Sequence, residues 1–239
     1  QHGDMEEGRK VLEALAEGKN PKTKDAAKAS LSMYWWIKND LDKAISISKK
    51  ALENGCSDKN LYVNLCTYLL EKGDYKEYRK MIKECNDKSL ATPAILDLEA
   101  AYYMIQKDWR KAGTYLNALF DKTTPAFKDP YLHKAMISLH YGDWEGSVKA
   151  LSEIKNQCTE SNTSVYSFSE IDQLISLIED EETRWGMLDV VDKSPEVLIK
   201  GEIPEVKKGM SKPKTPEMPS FSEEVFSPTS TTVKDDDEE

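Results

Sequence analysis

Between residues 5 and 185 the apolar positions recur at intervals of three and four, the spacing of helices that bury one face. Leu31, Tyr34 and Trp35 form one such stripe, and Leu41, Ala44, Ile45, Ser48, Ala51 and Leu52 form the next. Between the two stands Asn39-Asp40-Leu41. The same arrangement, an aspartate before a large apolar residue, returns as Gly73-Asp74-Tyr75, Lys107-Asp108-Trp109 and Gly142-Asp143-Trp144, at spacings of 34, 34 and 35 residues. A weaker copy, Gly3-Asp4-Met5, lies 36 residues before the first. Each tripeptide reads as a tight turn. Glycine tolerates positive φ, the aspartate oxygen caps the next helix, and the apolar residue opens that helix's buried face. The pattern therefore predicts antiparallel helix pairs turning near residues 4, 40, 74, 108 and 143. One pair cannot bury its own face, so neighbouring pairs must stack.

A period of 34 residues with this phase resembles the tetratricopeptide repeat family, whose unit has preferred residues at positions 4, 7, 8, 11, 20, 24, 27 and 32. Counting from residues 25, 59, 93 and 128, position 8 carries Ser32, Cys66, Ala100 and Ala135, all small, where two helices approach closely. Position 20 carries Ala44, Tyr78, Ala112 and Ser147. Position 24 carries Ser48, Ile82, Leu116 and Leu151, and position 27 carries Ala51, Cys85, Leu119 and Ile154. Tyr78 departs from the family at position 20 and Ser138 at position 11. The proline expected near position 32 is replaced by Cys56, Leu90, Thr124 and Thr159, which bears on single helix ends and not on the array. The resemblance implies an all-α, right-handed α-solenoid of stacked helix-turn-helix repeats spanning 25–58, 59–92, 93–127 and 128–161.

Residues 1–24 fit the same frame as half a repeat, its second helix running from Glu6 to Glu17 with Val11, Leu12 and Leu15 on one face. A covering segment is expected before Gln1, extending to a signal or a membrane anchor. After the fourth repeat, Asn162-Thr163-Ser164 breaks the chain, and residues 162–185 read as a capping helix with Ile171, Leu174, Ile175 and Ile178 at helical spacing. Residues 186–239 contain six prolines and 7 Lys against 13 Asp and Glu, and end in five acidic residues. That composition predicts a disordered acidic tail, because too little apolar area is available to offset chain entropy.

Charge and chemistry narrow the function. The net charge of -10, with no basic stripe, argues against a nucleic-acid surface. No run of about 18 apolar residues is available to span a bilayer. Cys56, Cys66, Cys85 and Cys158 are too sparse for a disulfide scaffold and form no C-x-x-C pair, so reduced, buried thiols are expected. Cys66 and Cys85 face each other across one repeat, where a redox pair is weighed against simple packing and packing is favoured. His133 and His140 are seven residues apart on one helix, about 10 Å, too far for a shared metal. No phosphate-binding glycine loop, nucleophile elbow or zinc-protease run occurs. No catalytic residue, metal or cofactor is therefore assigned. Asn162-Thr163-Ser164 is formally a glycosylation sequon. Ser194-Pro195, Thr215-Pro216 and Ser227-Pro228 are formally proline-directed phosphorylation sites.

What remains is the surface the repeats build. The resemblance implies a concave groove lined by the first helix of each repeat. Its candidate binding residues are Met33, Trp36, Ile37, Val63, Asn64, Leu70, Met104, Met136, Leu139 and His140. Soft methionines and a tryptophan anchor suit an apolar peptide or helix. The Lys, Asn and Arg set with which the chaperone-binding branch of the family grips a carboxylate survives only at Asn64, against Ala29, Met33, Ala94 and Leu98, which disfavours that role. The expected function is a protein–protein interaction scaffold or assembly factor, cytoplasmic or of an envelope compartment. Its expected ligand is a protein, with no nucleic acid and no small-molecule substrate, and membrane association arises only through an upstream anchor. Rival readings are a structural subunit of a larger envelope or motor assembly, and the repeat arm of an enzyme whose catalytic part lies upstream.

Overall fold

The computed structural model describes residues 5–90, 92–160 and 166–219. Gly3 and Asp4 of the first predicted turn, the Asn162-Thr163-Ser164 break and the chain from residue 220 lie outside them. Among the described residues there are twelve helices and no strand: α1 (Met5–Ala16), α2 (Pro21–Ile37), α3 (Leu41–Glu53), α4 (Lys59–Lys72), α5 (Tyr75–Asp87), α6 (Pro93–Ile105), α7 (Trp109–Lys122), α8 (Asp129–His140), α9 (Trp144–Gln157), α10 (Phe168–Glu179), α11 (Arg184–Lys193) and α12 (Pro195–Ile199). None of these helices is long and apolar enough to cross a membrane.

The four tripeptides build one and the same turn. The residue before each aspartate is left-handed: Asn39 at φ 60°, Gly73 at 78°, Lys107 at 61° and Gly142 at 78°. Each aspartate N–H reaches back five residues, to the carbonyls of Trp35, Leu69, Tyr103 and Ser138, and so closes the outgoing helix. Each aspartate carboxylate then accepts from the N–H three residues ahead, at Lys43, Glu77, Lys111 and Gly146, and so opens the next helix. One residue thus satisfies orphan backbone groups of two helices, and with a single left-handed neighbour it reverses the chain.

Because the turn is the same each time, the buried positions keep step with it. Ala44, Tyr78, Ala112 and Ser147 are completely buried. So, to within 2%, are Ser48, Ile82, Leu116 and Leu151, then Ala51, Cys85, Leu119 and Ile154, and the small residues Ser32, Cys66, Ala100 and Ala135 on the opposing helices. Neighbouring helices pack in sequence from α1 to α5 and from α7 to α12, as a helical repeat requires.

The chain divides into two compact units, Gln1–Leu98 and Glu99–Glu239. In the first, α1 packs on α2, α2 on α3 and α4, and α4 on α5. In the second, α8 pairs with α9, α10 packs on α9, and α11 and α12 lie on α8. Leu132, Met136 and Leu139 of α8 meet Leu151, Leu174, Ile178, Met187, Val191 and Leu198 around a cavity of about 10 Å³. Lys128, only 2% exposed, pins the loop before α10 by donating to the carbonyls of Tyr166 and Glu160 at 2.8 and 3.4 Å.

The C-terminal third departs from the sequence pattern twice. The capping helix predicted to residue 185 ends at Glu179. Glu179-Asp180-Glu181-Glu182 places four carboxylates at the negative end of a helix, and the Asp180 side chain accepts from the Glu182 N–H at 2.9 Å, competing with helix continuation. The disordered tail predicted from residue 186 is also corrected, since α11 and α12 occupy residues 184–199, with Met187, Leu188, Val191 and Leu198 all at most 2% exposed. Averaging composition over the whole tail hides these four residues, whose spacing is helical. Residues 202–218 then run back without helix. Gly209 N–H donates to the Glu182 carbonyl at 2.8 Å, the Lys212 ammonium lies 5.5 Å from the Trp185 ring centre, and the Lys207 ammonium lies 3.9 Å from Asp189. Gly186 sits inside α11, where a Cβ would stand 2.2 Å from the Lys207 carbonyl oxygen.

Two substitutions test this packing. The buried Ser147 hydroxyl has no hydrogen-bond partner and lines the apolar cavity, so Ser147→Ala, which copies Ala44 and Ala112, should raise stability by about 1 kcal/mol in urea unfolding. Gly186→Ala should cost about 1–3 kcal/mol despite alanine's better helix propensity, because the 206–207 backbone must move, and proteolysis within residues 202–218 should accelerate.

Candidate functional site

The ten predicted groove residues separate into two groups. In the first unit, α2 and α4 lie side by side, and the stripe on them is open. Met33 is 36% and Ile37 53% exposed, one helical turn apart, while Val63 and Asn64 of α4 are half-buried. Trp36, placed by the sequence among the free anchors, is already engaged. Its ring stacks on Tyr68 with centroids 6.2 Å apart and planes at 28°, and its Nε1 donates to the Glu71 carboxylate at 2.5 Å. It therefore joins α2 to α4 and leaves Met33 and Ile37 as the outward apolar groups. Leu70 is buried and offers nothing to a ligand.

In the second unit the predicted stripe is closed. Met104, Met136 and Leu139 are at most 2% exposed, so as groove residues they are corrected to core. For Met136 and Leu139 the cover is the chain's own α11 and α12, whose Met187, Val191 and Leu198 line the same interior cavity. His140 is taken up likewise, its Nδ1 lying 2.7 Å from Asp192 of α11. Its ring stacks on Trp109 at 4.5 Å and meets Tyr141 edge-on. His133 is buried. The sequence carried a signal for this occupant, since Met187, Leu188 and Val191 form a helical face, but the prolines and charges around them outweighed it.

The remaining features are structural. All four cysteines are buried, Cys66 and Cys85 included. Burial pushes the thiols of Cys56 and Cys158 above their ordinary range, away from the thiolate that reactive chemistry needs. Burial likewise raises the phenol of Tyr68 to about 12. Among the described residues no three of His, Cys, Asp and Glu are grouped to hold a metal ion. An open polar cleft at the α1–α2 and α3–α4 loops is bordered by Lys19, Lys24 and Lys28 with Glu17 and Asp25. Its charges are mixed, and Asp25 faces the Ser57 N–H at 3.4 Å.

Exposed apolar residues occur on α1 as well. Of the exposed large apolar residues described, Met5, Val11 and Leu15 belong to α1 and Met33 and Ile37 to α2, leaving only Met218 elsewhere. Helix α1 is fastened to α2 by a polar link, the Tyr34 hydroxyl donating to Glu6 at 3.0 Å while Arg9 bridges Glu6 and Glu13. Compared with protein-family models, with curated proteins and with solved structures, the chain matches none.

The Glu6 link has a pH signature. Hydrogen bonds from Arg9 first and Tyr34 second hold the Glu6 carboxyl at about 2, below its ordinary 4.5. A depressed acid contributes its full stabilisation above the unfolded value and loses it as pH falls through the folded one. The α1–α2 contact should therefore weaken between about pH 4.5 and about pH 2, seen as faster amide exchange in α1. Glu6→Gln should remove that pH dependence.

Proposed function

We propose that this chain is a protein-interaction module of tetratricopeptide-like repeats wound in the right-handed sense of that family, and that its working surface is the open stripe of α2 and α4. The repeated turn and the burial that keeps step with it support the repeat reading. The observation that carries the function is the exposure of Met33 and Ile37 on a helix whose other faces are packed. Apolar side chains held in place by a rigid helix pair lose little entropy on binding, and a flexible thioether adapts to its partner's shape. The ligand this surface fits is the apolar face of a protein segment, with Met33 and Ile37 as contacts, Val63 beside them, and Asn64 and Glu71 as polar groups that fix its direction. An acidic chain of net charge -10 supports a protein ligand over a nucleic acid. In the second unit the comparable apolar stripe serves the chain's own α11 and α12 and forms core.

The test is binding of a protein recovered with the full chain, measured against variants that leave the fold intact. Met33→Asp places a charge in the stripe without touching the core and should weaken binding at least about thirtyfold, the loss of about 2 kcal/mol expected for a central contact. Lys80→Glu, on a side chain 74% exposed and away from the stripe, should leave affinity unchanged. Equal binding by Met33→Asp and the parent, with loss in Lys80→Glu, would move the site to the outer surface.

A further inference from the structure

Residues 202–218 return along the second unit without helix, and the ties that hold them thin out toward their end. At the near end the Gly209 N–H donates to the Glu182 carbonyl, and the Lys207 backbone lies against Gly186. Beyond Gly209, no backbone hydrogen bond joins residues 210–218 to another described residue. Side chains dock them instead: Lys212 lies over the Trp185 ring, and Thr215 lies against Gly142 in the turn between α8 and α9. A Cβ on Gly142 would stand 2.8 Å from the Thr215 Oγ1, 3.1 Å from its Cγ2 and 3.3 Å from its Cβ. The hydroxyl is the atom nearest the turn, and the gap cannot take even a methyl group without a shift.

Five Ser-Pro or Thr-Pro pairs occur in the chain, at Thr92, Thr124, Ser194, Thr215 and Ser227, the last outside the described residues. Thr92 accepts from the Ile95 N–H at the start of α6, Thr124 precedes a buried proline, and Ser194 precedes the buried Pro195 that opens α12. Thr215 differs from these three, standing in a long run without helix and followed by the exposed Pro216 and Glu217. It is also the one of the five with a second proline two residues before it, Pro213. Proline fixes its own φ and holds the residue before it extended, so Lys212 to Pro216 is pre-set in the extended form that a protein kinase takes as substrate.

We infer that Thr215 is a phosphorylation site for a proline-directed protein kinase, and that its phosphorylation releases residues 210–218 from the second unit. This goes beyond the interaction reading of the first unit and stands without it. In the transfer, the Thr215 oxygen attacks the γ-phosphorus of a nucleoside triphosphate held by the kinase. The new O–P bond forms as the bond to the nucleoside diphosphate breaks, and the hydroxyl proton passes to the kinase's carboxylate base. The hydroxyl must first turn away from Gly142, which a segment without backbone ties can do at small cost. The product cannot return to the same place. Its phosphate brings about two negative charges to the carboxyl end of α8, where the last helix carbonyls already concentrate negative charge. The amino end of α9, on the other side of the turn, is served by the Asp143 carboxylate, which accepts from the Gly146 N–H at 2.9 Å, so a phosphate meets like charge there too. The charges of Asp108 and Arg110, felt at the neighbouring Tyr141, oppose each other. Lys212 and Lys214 belong to the segment and leave with it. Release takes Lys212 off Trp185 and uncovers that ring beside Arg184, whose guanidinium lies 3.9 Å from the Trp144 ring centre.

The full chain, labelled with nitrogen-15, is incubated with a mitogen-activated protein kinase and Mg-ATP, the phosphate is mapped by mass spectrometry, and backbone order parameters are measured before and after. Phosphate at Thr215 is expected, with order parameters in residues 210–218 falling from near about 0.85 to below about 0.6 and the Gly142 amide resonance shifting. Thr215→Val keeps the shape of the side chain and removes the acceptor oxygen. Treated with the same kinase, that variant should keep the parent's order parameters, which separates Thr215 from any other modified serine or threonine. No phosphate at Thr215 overturns the proposal. So does phosphate at Thr215 with unchanged order parameters, because the segment then stays docked. Order parameters already below about 0.6 in the untreated chain overturn it as well, since nothing is then released. An equal loss of order in the treated Thr215→Val chain places the switch at another residue.

Discussion

The turn in which a left-handed residue precedes an aspartate is the constraint on which the rest depends. Helix ends leave four N–H and four C=O groups without partners, and a helical hairpin has two such ends side by side. The aspartates at 40, 74, 108 and 143 serve both, closing one helix with the backbone N–H and opening the next with the carboxylate. A turn so tightly specified fixes the rotational phase of each helix, and phase decides which side chains are buried. That is why a residue as small as Ala44 and one as large as Tyr78 share a position and are both completely enclosed. Backbone geometry holds the position, and neighbours adjust to its volume.

The turn does not dictate what lies on the outer faces, and there the two units differ. In the second, apolar side chains of α8 are covered from within the chain by helices that follow an acidic break at 179–182, and a return segment lies in turn against Gly186 of α11. In the first, α1 and α2 keep the corresponding kind of surface uncovered. A monomer normally shows its large apolar groups singly and scattered, so five of them on two adjoining helices mark a place where something else packs.

Much of this was legible in the sequence. Period and turn chemistry were written in residues with narrow physical roles, and the helices begin where the aspartates put them. The anchors were less legible. Met104, Met136 and Leu139 lie on the stripe that periodicity assigns to a groove, yet periodicity gives only a direction from the helix axis and cannot say whether that direction ends in water or in another helix. The cover itself, α11 and α12, was masked by prolines and charges that dominate a composition average while four apolar residues carry the packing. Trp36 failed as a free anchor for a related reason, since its partners Tyr68 and Glu71 are more than thirty residues away and only stacking of the helices brings them together.

Three glycines show how the same residue acquires meaning only from its surroundings. Gly142 adopts without strain the left-handed φ that Asn39 and Lys107 also hold, and Gly186 is required by the backbone of residue 207 lying where a Cβ would be. Gly8 answers to neither demand, standing inside α1 with helical neighbours on both sides and open space beyond it. A glycine within a helix costs about 1 kcal/mol relative to alanine, and among the described residues no heavy atom comes within 4 Å of where a Gly8 Cβ would stand. Its smallness has a use where another surface comes close to α1, and the leucines one turn and two turns beyond it share its face.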